Sequence, residues 1–194
     1  MLAGVAPDAW RAGVRRVGPL FNVGRLTKAE GFGQILQECG VEPRADLVRG
    51  LVEADRELLL ADAYLYDDSI PFLENLRSHH VRTAIVSNCS EHTRDLLIKL
   101  GVPELVDAVV LSCEVGAAKP AAPIFRHALD RLGVPAGAAL FVDDQAAFCA
   151  GAVALGISAA QIVRGELDGI DGEVPAAGTT LVRSLPEVEA LLWA

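Results

Sequence analysis

The feature that most constrains the fold is a regular alternation that begins near Asp67 and continues to the end of the sequence. Short apolar runs are separated by segments with the apolar spacing of amphipathic helices. Apolar runs without polar alternation indicate strands covered on both faces, and strands that alternate with helices indicate a parallel sheet. We predict strands at residues 83–86, 108–111, 138–142, 159–163 and 180–182. The pattern therefore predicts an α/β domain over residues 67–194.

Residues 1–66 have a wholly helical pattern instead. Thr27 and Glu30 have the spacing of a capping box, which predicts that a helix begins there. Pro43 precedes a longer segment with apolar residues at steps of three and four, which predicts another helix. We therefore predict a small α-helical domain ahead of the α/β domain.

The charge and cysteine content exclude several classes of protein. The 194 residues carry a formal net charge of -9, and an acidic chain repels the phosphate backbone of nucleic acids. No apolar run approaches the roughly 20 residues that span a bilayer, and the N-terminus lacks the pattern of a secretion signal. The four cysteines form no C-x-x-C pair, so we expect free thiols in a reducing compartment. We expect a cytoplasmic protein with no nucleic acid and no membrane among its partners.

Polar residues follow the predicted strands at the places where a ligand would bind. Ligands of parallel α/β sheets bind outside the carboxyl ends of the strands, and Ser87, Asn88, Asp143 and Asp144 stand at those ends. Two adjacent carboxylates repel each other, and a hard cation such as Mg²⁺ would relieve that repulsion. The alternative is that Asp144 caps the helix that follows. The tandem of two acids favours a metal site at Asp143 and Asp144, because a single Asp suffices for a cap.

Ser87, Asn88 and Lys119 are further candidates, each with a structural alternative. Ser87 and Asn88 would bind a phosphoryl oxygen at a helix start, or they would cap the next helix. Lys119 opens a predicted helix, where its charge opposes the helix dipole, so stability alone does not favour it. A lysine directed into an acidic site would neutralise a carboxylate or a phosphate, whereas the alternative is an exposed surface lysine.

Three segments together resemble motifs of the haloacid dehalogenase-like (HAD) hydrolase superfamily. In order, the second, third and fourth motifs correspond to Ile85-Val86-Ser87-Asn88, Gly116-Ala117-Ala118-Lys119-Pro120 and Phe141-Val142-Asp143-Asp144. The resemblance implies a Rossmann-like parallel sheet with helices on both faces, and a small α-helical cap domain at residues 1–66. It also implies phosphatase chemistry, because haloacid dehalogenases need no metal and lack paired acids at the fourth motif.

The resemblance assigns a role to each candidate residue. Ser87 and Asn88 would bind the phosphoryl group of a small phosphorylated molecule. Lys119 would hold the charges of the nucleophile and the phosphate together, which makes Ser87 and Lys119 the catalytic candidates. Asp143 and Asp144 would bind Mg²⁺. The nucleophile would be an Asp of the first motif, which forms an aspartyl-phosphate intermediate.

The first motif, a strand that ends in Asp-x-Asp, has no match in this sequence. Asp8 follows Pro7 and no predicted strand, and Trp10 stands where a second Asp is required. In the superfamily this strand lies in the middle of the sheet, so its absence would leave two strands with unpaired edges. Three explanations stay open: a start that omits the strand, a pseudoenzyme that binds a ligand or partner, or a dimer that exchanges a strand. We predict little or no turnover by this chain alone.

Overall fold

The computed structural model describes residues 4–61, 63–164, 175 and 177–193. The chain divides into two units. The first unit comprises Met1–Tyr64, Ser87–Gly101 and Leu111–Ala118, and the second comprises Leu65–Val86, Val102–Val110 and Lys119–Ala194. The first unit thus combines the helical N-terminal part with two segments of the predicted α/β region.

Helices precede the first strand and then alternate with the strands. The helices are α1 (Pro7–Phe21), α2 (Lys28–Glu38), α3 (Ala45–Ala61), α4 (Ser69–Ser78), α5 (Thr93–Lys99), α6 (Ser112–Val115), α7 (Ala122–Leu132), α8 (Ala146–Val153) and α9 (Leu185–Leu192). The strands are β1 (Ala84–Ser87), β2 (Ala108–Leu111), β3 (Leu140–Asp143), β4 (Ser158–Ile162) and β5 (Thr179–Val182). Each predicted strand is present, and β3 begins later than predicted because Ala136–Ala138 forms a short 3-10 turn. In the described part of the chain, no helix has the length and apolarity needed to cross a bilayer.

The first unit is built largely from α1, α2 and α3. The predicted capping box begins α2: the Thr27 hydroxyl accepts a hydrogen bond from the Glu30 N–H at 3.2 Å, and the Glu30 carboxylate accepts one from the Thr27 N–H at 2.8 Å. Burial of apolar side chains is the main favourable term in such helix packing, at about 1.5–3 kcal/mol for each large side chain. The buried core of this unit includes Val17, Phe21, Phe32 and Ile35.

The second unit contains a three-stranded parallel sheet in the order β3-β4-β5. Helix α8 contacts all three strands, and the small buried residues on α8 allow it to approach them closely. Ala160, Val182 and Val188 form a buried core between the sheet and α9. The parallel α/β architecture is therefore confirmed. The register pairs Asp143 with Gln161, so these two residues are neighbours at the carboxyl ends of β3 and β4.

Strands β1 and β2 form a separate two-stranded sheet. Within the described residues β1 pairs with β2 and β3 pairs with β4, and neither β1 nor β3 has a second strand partner. The strands are thus divided between two sheets instead of forming the continuous sheet that the resemblance implies. The two sheets are separate because no strand among the described residues pairs with both β1 and β3. The sequence also predicts a loop at residues 165–178, which are rich in Gly, Asp and Ala, and this segment lies almost wholly outside the described residues.

Candidate active site

The carboxyl end of β3 carries a buried ion pair. Asp143 is the last residue of β3, and its Oδ2 lies 2.5 Å from the Nζ of Lys119. Each of the two side chains is only 8% exposed. Lys119 is therefore buried, and the alternative that it is an exposed surface lysine is wrong. The predicted helix start at Lys119 and Pro120 is wrong, because α7 begins at Ala122 and leaves Lys119 in the preceding loop.

Further contacts hold both members of the pair in place. Asp143 Oδ1 accepts a hydrogen bond from the Gln145 N–H at 3.0 Å, so both carboxylate oxygens have partners. Lys119 Nζ lies 4.9 Å from the ring centroid of Phe148 and 5.5 Å from that of Phe141, and aromatic faces attract cations. Burying an ion pair costs on the order of several kcal/mol of desolvation per ion, so stability alone does not favour this arrangement.

Asp144 directly follows the ion pair and does not cap the next helix. Helix α8 begins at Ala146, and Gln145 occupies the N-cap position without a side-chain cap bond. The helix-cap alternative for Asp144 is therefore wrong. Desolvation of the carboxyl, and then the neighbouring Asp143 carboxylate, raise the pKa of Asp144 above its ordinary value.

The raised pKa of Asp144 has a definite sign for stability. Because the folded-state pKa exceeds the unfolded-state value, ionised Asp144 lowers the free energy of unfolding at neutral pH. This cost is fully present above the folded-state pKa and vanishes below the unfolded-state pKa. A bound cation would remove the cost, because it would compensate the negative charge beside Asp143.

The donor chemistry of this acid pair fits Mg²⁺. Magnesium takes oxygen ligands and is held by one or two carboxylates, with water and substrate phosphate completing its coordination. Asp143 and Asp144 supply two carboxylates at one strand end. Over residues 4–61, 63–164, 175 and 177–193 no group of three or more His, Cys, Asp or Glu side chains is placed to hold a metal. The predicted metal role of the pair stays a prediction.

Cys149 adjoins the acid pair but is not a nucleophile. Its side chain is fully buried in α8, and its Sγ lies 3.7 Å from the carbonyl oxygens of Asp143 and Ala160. Burial, followed by the charge of Asp143, raises the pKa of the Cys149 thiol to about 11. Because the thiolate is the reactive form, this thiol serves packing at neutral pH.

Ser87 and Asn88 are part of the first unit, whereas the ion pair described above is part of the second. Ser87 ends β1, and α5 begins only at Thr93, with His92 at its N-cap position. Neither Ser87 nor Asn88 caps α5, so the capping alternative is wrong for both residues. Their predicted role in phosphate binding stays a prediction.

The loop that follows Ser87 is anchored by a buried hydroxyl. Ser112, the first residue of α6, is fully buried, and its Oγ accepts a hydrogen bond from the Cys89 N–H at 2.8 Å. The Sγ atoms of Cys89 and Cys113 lie 3.9 Å apart, and burial is the first cause that raises the pKa of the Cys113 thiol to about 12. The backbone after Ser87 is thus held in a defined position, which a phosphate-binding loop requires.

A cavity of about 320 Å³ lies in the first unit. Ser90 and Glu91, from the loop after β1, form part of its wall, and Leu26 and Lys28 contribute to the rest. Lys28 Nζ lies 3.0 Å from the Asp55 carboxylate, so its positive charge is paired. The volume is at the lower end of the range found for small-molecule pockets.

Asp8 does not have the surroundings of a catalytic nucleophile. It lies in the first turn of α1, its side chain is 95% exposed, and its Oδ1 is 3.1 Å from the Nη1 of Arg11. This exposed carboxylate lies on a helix, whereas the resemblance places the first-motif Asp at the end of a strand. Asp8 is therefore not the nucleophile, and the prediction that an Asp of the first motif is the nucleophile stays a prediction.

Sequence reasoning missed Gln161, a buried polar residue of β4. Its Nε2 donates a hydrogen bond to the carbonyl oxygen of Asp144 at 3.0 Å. The signal was present in the sequence, because Gln161 interrupts an apolar run that was predicted to be buried. A polar side chain at such a position requires a hydrogen-bond partner, and the partner proves to be the acid-pair loop.

Comparisons with known proteins identify relatives of the chain. Residues 6–156 match the family model described as haloacid dehalogenase-like hydrolase. A glyceraldehyde 3-phosphate phosphatase of Methanopyrus kandleri is 34% identical over 115 residues, which cover 59% of this chain and 49% of that protein. A phosphatase of Mycobacterium tuberculosis is 32% identical over 148 residues, which cover 74% of this chain and 65% of that protein. The chain thus spans less than two thirds of the length of these curated relatives.

Solved structures share the fold. A HAD phosphatase from Thermococcus onnurineus aligns with a TM-score of 0.60 at 23% identity, over 94% of this chain and 91% of that chain. A 2-haloacid dehalogenase from Pseudomonas syringae aligns with a TM-score of 0.72 at 22% identity, over 100% of this chain and 84% of that chain. At such identities the likeness shows the fold alone. Because the family model covers most of the sequence, the chain belongs to the haloacid dehalogenase-like hydrolase family.

Proposed function

We propose that this chain provides the cap and core of a Mg²⁺-dependent phosphatase that acts on a small phosphate ester through an aspartyl-phosphate intermediate. The observation that carries the proposal is the buried pair of Lys119 and Asp143, with Asp144 beside it at the end of β3. Two relatives, named as a glyceraldehyde 3-phosphate phosphatase and a phosphatase, support phosphate-ester chemistry.

The residues at the end of β3 would supply charge at fixed positions. Asp144 and Asp143 would hold Mg²⁺, which when bound stabilises negative charge on a transferring phosphoryl group. Lys119 brings a positive charge to the same strand end, and its contacts with Asp143 and two aromatic rings keep it there. Charges that are already in position cost no reorganisation during the reaction, so the contribution of these residues is positioning and charge stabilisation.

Ser87 and Asn88 would contribute to recognition of the substrate. The Ser87 hydroxyl, with Asn88 beside it, would bind phosphoryl oxygens, and the anchor from Ser112 to Cys89 supports a fixed loop for this purpose. The cavity partly lined by Ser90 has room for a small organic group. The substrate class that follows is a small phosphorylated molecule.

The paired acids favour a phosphatase over a dehalogenase. Structural neighbours include proteins of both kinds, and at 22–23% identity they indicate the fold alone. Cleavage of a carbon–halogen bond releases a singly charged halide and gains little from two adjacent carboxylates. A phosphate ester carries more negative charge, which Lys119 and a cation held by Asp143 and Asp144 would stabilise.

The attacking carboxylate is the component that this proposal places outside the described residues. Strands β1 and β3 each have one strand partner within those residues. A strand that paired with both would place its own carboxyl end at the level of Asp143, where a nucleophile is needed. Such a strand would come from a longer form of the protein or from a neighbouring chain by strand addition. The alternative is a HAD-fold protein that binds a ligand or partner without catalysis. If no additional strand pairs with β1 and β3, the division into two sheets favours this alternative.

The test is phosphate release from p-nitrophenyl phosphate with Mg²⁺, together with intact mass. We expect little or no release by the 194-residue chain of 20.5 kDa, and Mg²⁺-dependent release by a heavier protein purified from the native source. A native protein of 20.5 kDa without turnover would support the binding-protein alternative. Hydrolysis by the 194-residue chain that Asp144→Asn abolishes would place the nucleophile within the chain and overturn this account of it.

A further inference from the structure

Gln161 is an unusual residue for the interior of this sheet. It is only 2% exposed, which makes it more deeply buried than the side chains of the Lys119 and Asp143 pair. It lies in β4, the central strand of the β3-β4-β5 sheet, where its neighbours in the strand are apolar. Burying a carboxamide costs free energy unless its donors and acceptors are paired, so its presence requires a physical reason.

The hydrogen bonds of Gln161 are only partly satisfied. Its Nε2 donates to the carbonyl oxygen of Asp144 at 3.0 Å, whereas its buried Oε1 has no hydrogen-bond partner among the described residues. An apolar side chain of the same size would avoid the cost of an unpaired amide oxygen. Within the described residues, the contact that Gln161 makes through its side chain is therefore with the acid-pair loop.

That contact acts at the residue whose carboxylate would hold the cation. Asp143 is fixed by Lys119 and accepts a hydrogen bond from the Gln145 N–H, which belongs to the peptide that joins Asp144 to Gln145. The Gln161 carboxamide holds the other side of the same peptide, because its Nε2 donates to the Asp144 carbonyl oxygen from the adjacent strand. The direction of the Asp144 side chain depends on the orientation of this peptide.

We infer that Gln161 is a positioning residue that orients Asp144 for binding a divalent cation. The inference rests on the proposed function. It differs from a purely structural role in one respect: loss of a structural glutamine would change the melting temperature and leave Mg²⁺ affinity unchanged, whereas loss of a positioning glutamine lowers Mg²⁺ affinity.

The experiment compares Gln161→Met with the unchanged chain in calorimetric titrations with MgCl₂, well below the melting temperature of each protein. Methionine has nearly the same length and volume but no hydrogen-bonding amide. We expect Mg²⁺ affinity to fall about 10–100-fold, as is usual when a group that orients a metal ligand is lost. We also expect little change in the melting temperature, because the substitution removes an unpaired amide oxygen and also removes the hydrogen bond to the Asp144 carbonyl oxygen.

Asn75→Leu is the control, because it removes a part-buried hydrogen bond from Asn75 of α4 to the Glu189 carboxylate of α9 and leaves the acid-pair loop unchanged. It should lower the melting temperature and leave Mg²⁺ affinity unchanged. Unchanged affinity in Gln161→Met, with binding in the unchanged chain that Asp144→Asn abolishes, would overturn the inference and leave the proposed metal site standing. Absence of Mg²⁺ binding by the unchanged chain would overturn both.

Discussion

Lys119→Met is expected to lower the free energy of unfolding by about 3–5 kcal/mol, the usual result when one member of a buried ion pair is removed. The substitution leaves the Asp143 carboxylate buried and without its counter-charge, since both side chains are only 8% exposed. Methionine retains an unbranched apolar side chain that can still pack against Phe141 and Phe148. The decrease in the free energy of unfolding therefore comes mainly from the lost charge and only slightly from lost packing. Urea unfolding at pH 7 would measure this decrease.

Arg16→Met is the matched control for this prediction. Arg16 and Glu38 also form an ion pair, but their side chains are 51% and 49% exposed, so the control should cost less than about 1 kcal/mol. The double variant Lys119→Met with Asp143→Asn should regain part of the loss, because no buried charge remains. A loss for Lys119→Met no larger than that for Arg16→Met would contradict the burial and pairing described here.

Gly151→Ala is expected to lower the free energy of unfolding by about 1–3 kcal/mol, because it overpacks the contact between α8 and the loop that carries Lys119. A Cβ at Gly151 would lie 2.6 Å from the carbonyl oxygen of Pro120 and 2.8 Å from its Cβ. Backbone atoms cannot rotate away as a flexible side chain can, so α8 or the loop must shift. Since Pro120 follows Lys119, the shift would also disturb the ion pair. Thermal and urea unfolding would measure the effect.

Gly50→Ala provides the opposite expectation at a comparable helical position. An added Cβ at Gly50 in α3 meets no atom within 4 Å. Alanine should therefore stabilise α3 by up to about 1 kcal/mol, through its higher helix propensity. If both glycine substitutions stabilised the protein, the close approach of α8 to Pro120 would be absent in solution.

Elements with local signals could be predicted from the sequence. Strands covered on both faces are apolar on both faces, so the runs that became β1 to β4 were visible as interruptions of the helical spacing. The edge strand β5 gives a weaker signal, because Thr180 and Leu181 are exposed. The capping box of Thr27 and Glu30 is equally local, because both partners lie within one helical turn. The start of α7 was predicted too early, since Lys119 pairs with Asp143 and Pro120 packs against α8 instead of opening the helix.

Contacts between residues far apart in the sequence were harder to predict from the sequence. Lys119 and Asp143 are 24 positions apart, and the sequence left open whether Lys119 enters an acidic site or lies on the surface until the family resemblance was considered. Their burial, which decides how strongly they interact, depends on the packing of aromatic rings from β3 and α8. Gln161 was missed for a similar reason, because an apolar run with one glutamine does not reveal which loop its amide reaches. The division of the strands between two sheets likewise depends on pairing that no local pattern encodes.

The most direct test of the central claim, a divalent-cation site at the end of β3, is a calorimetric titration of the 194-residue chain and of Asp144→Asn with MgCl₂. The variant should fold at least as stably as the unchanged chain at pH 7, because it removes an ionised carboxylate whose pKa is raised in the folded state. We predict saturable Mg²⁺ binding by the unchanged chain and none by Asp144→Asn. Equal binding by both proteins, or binding by neither, would contradict the account.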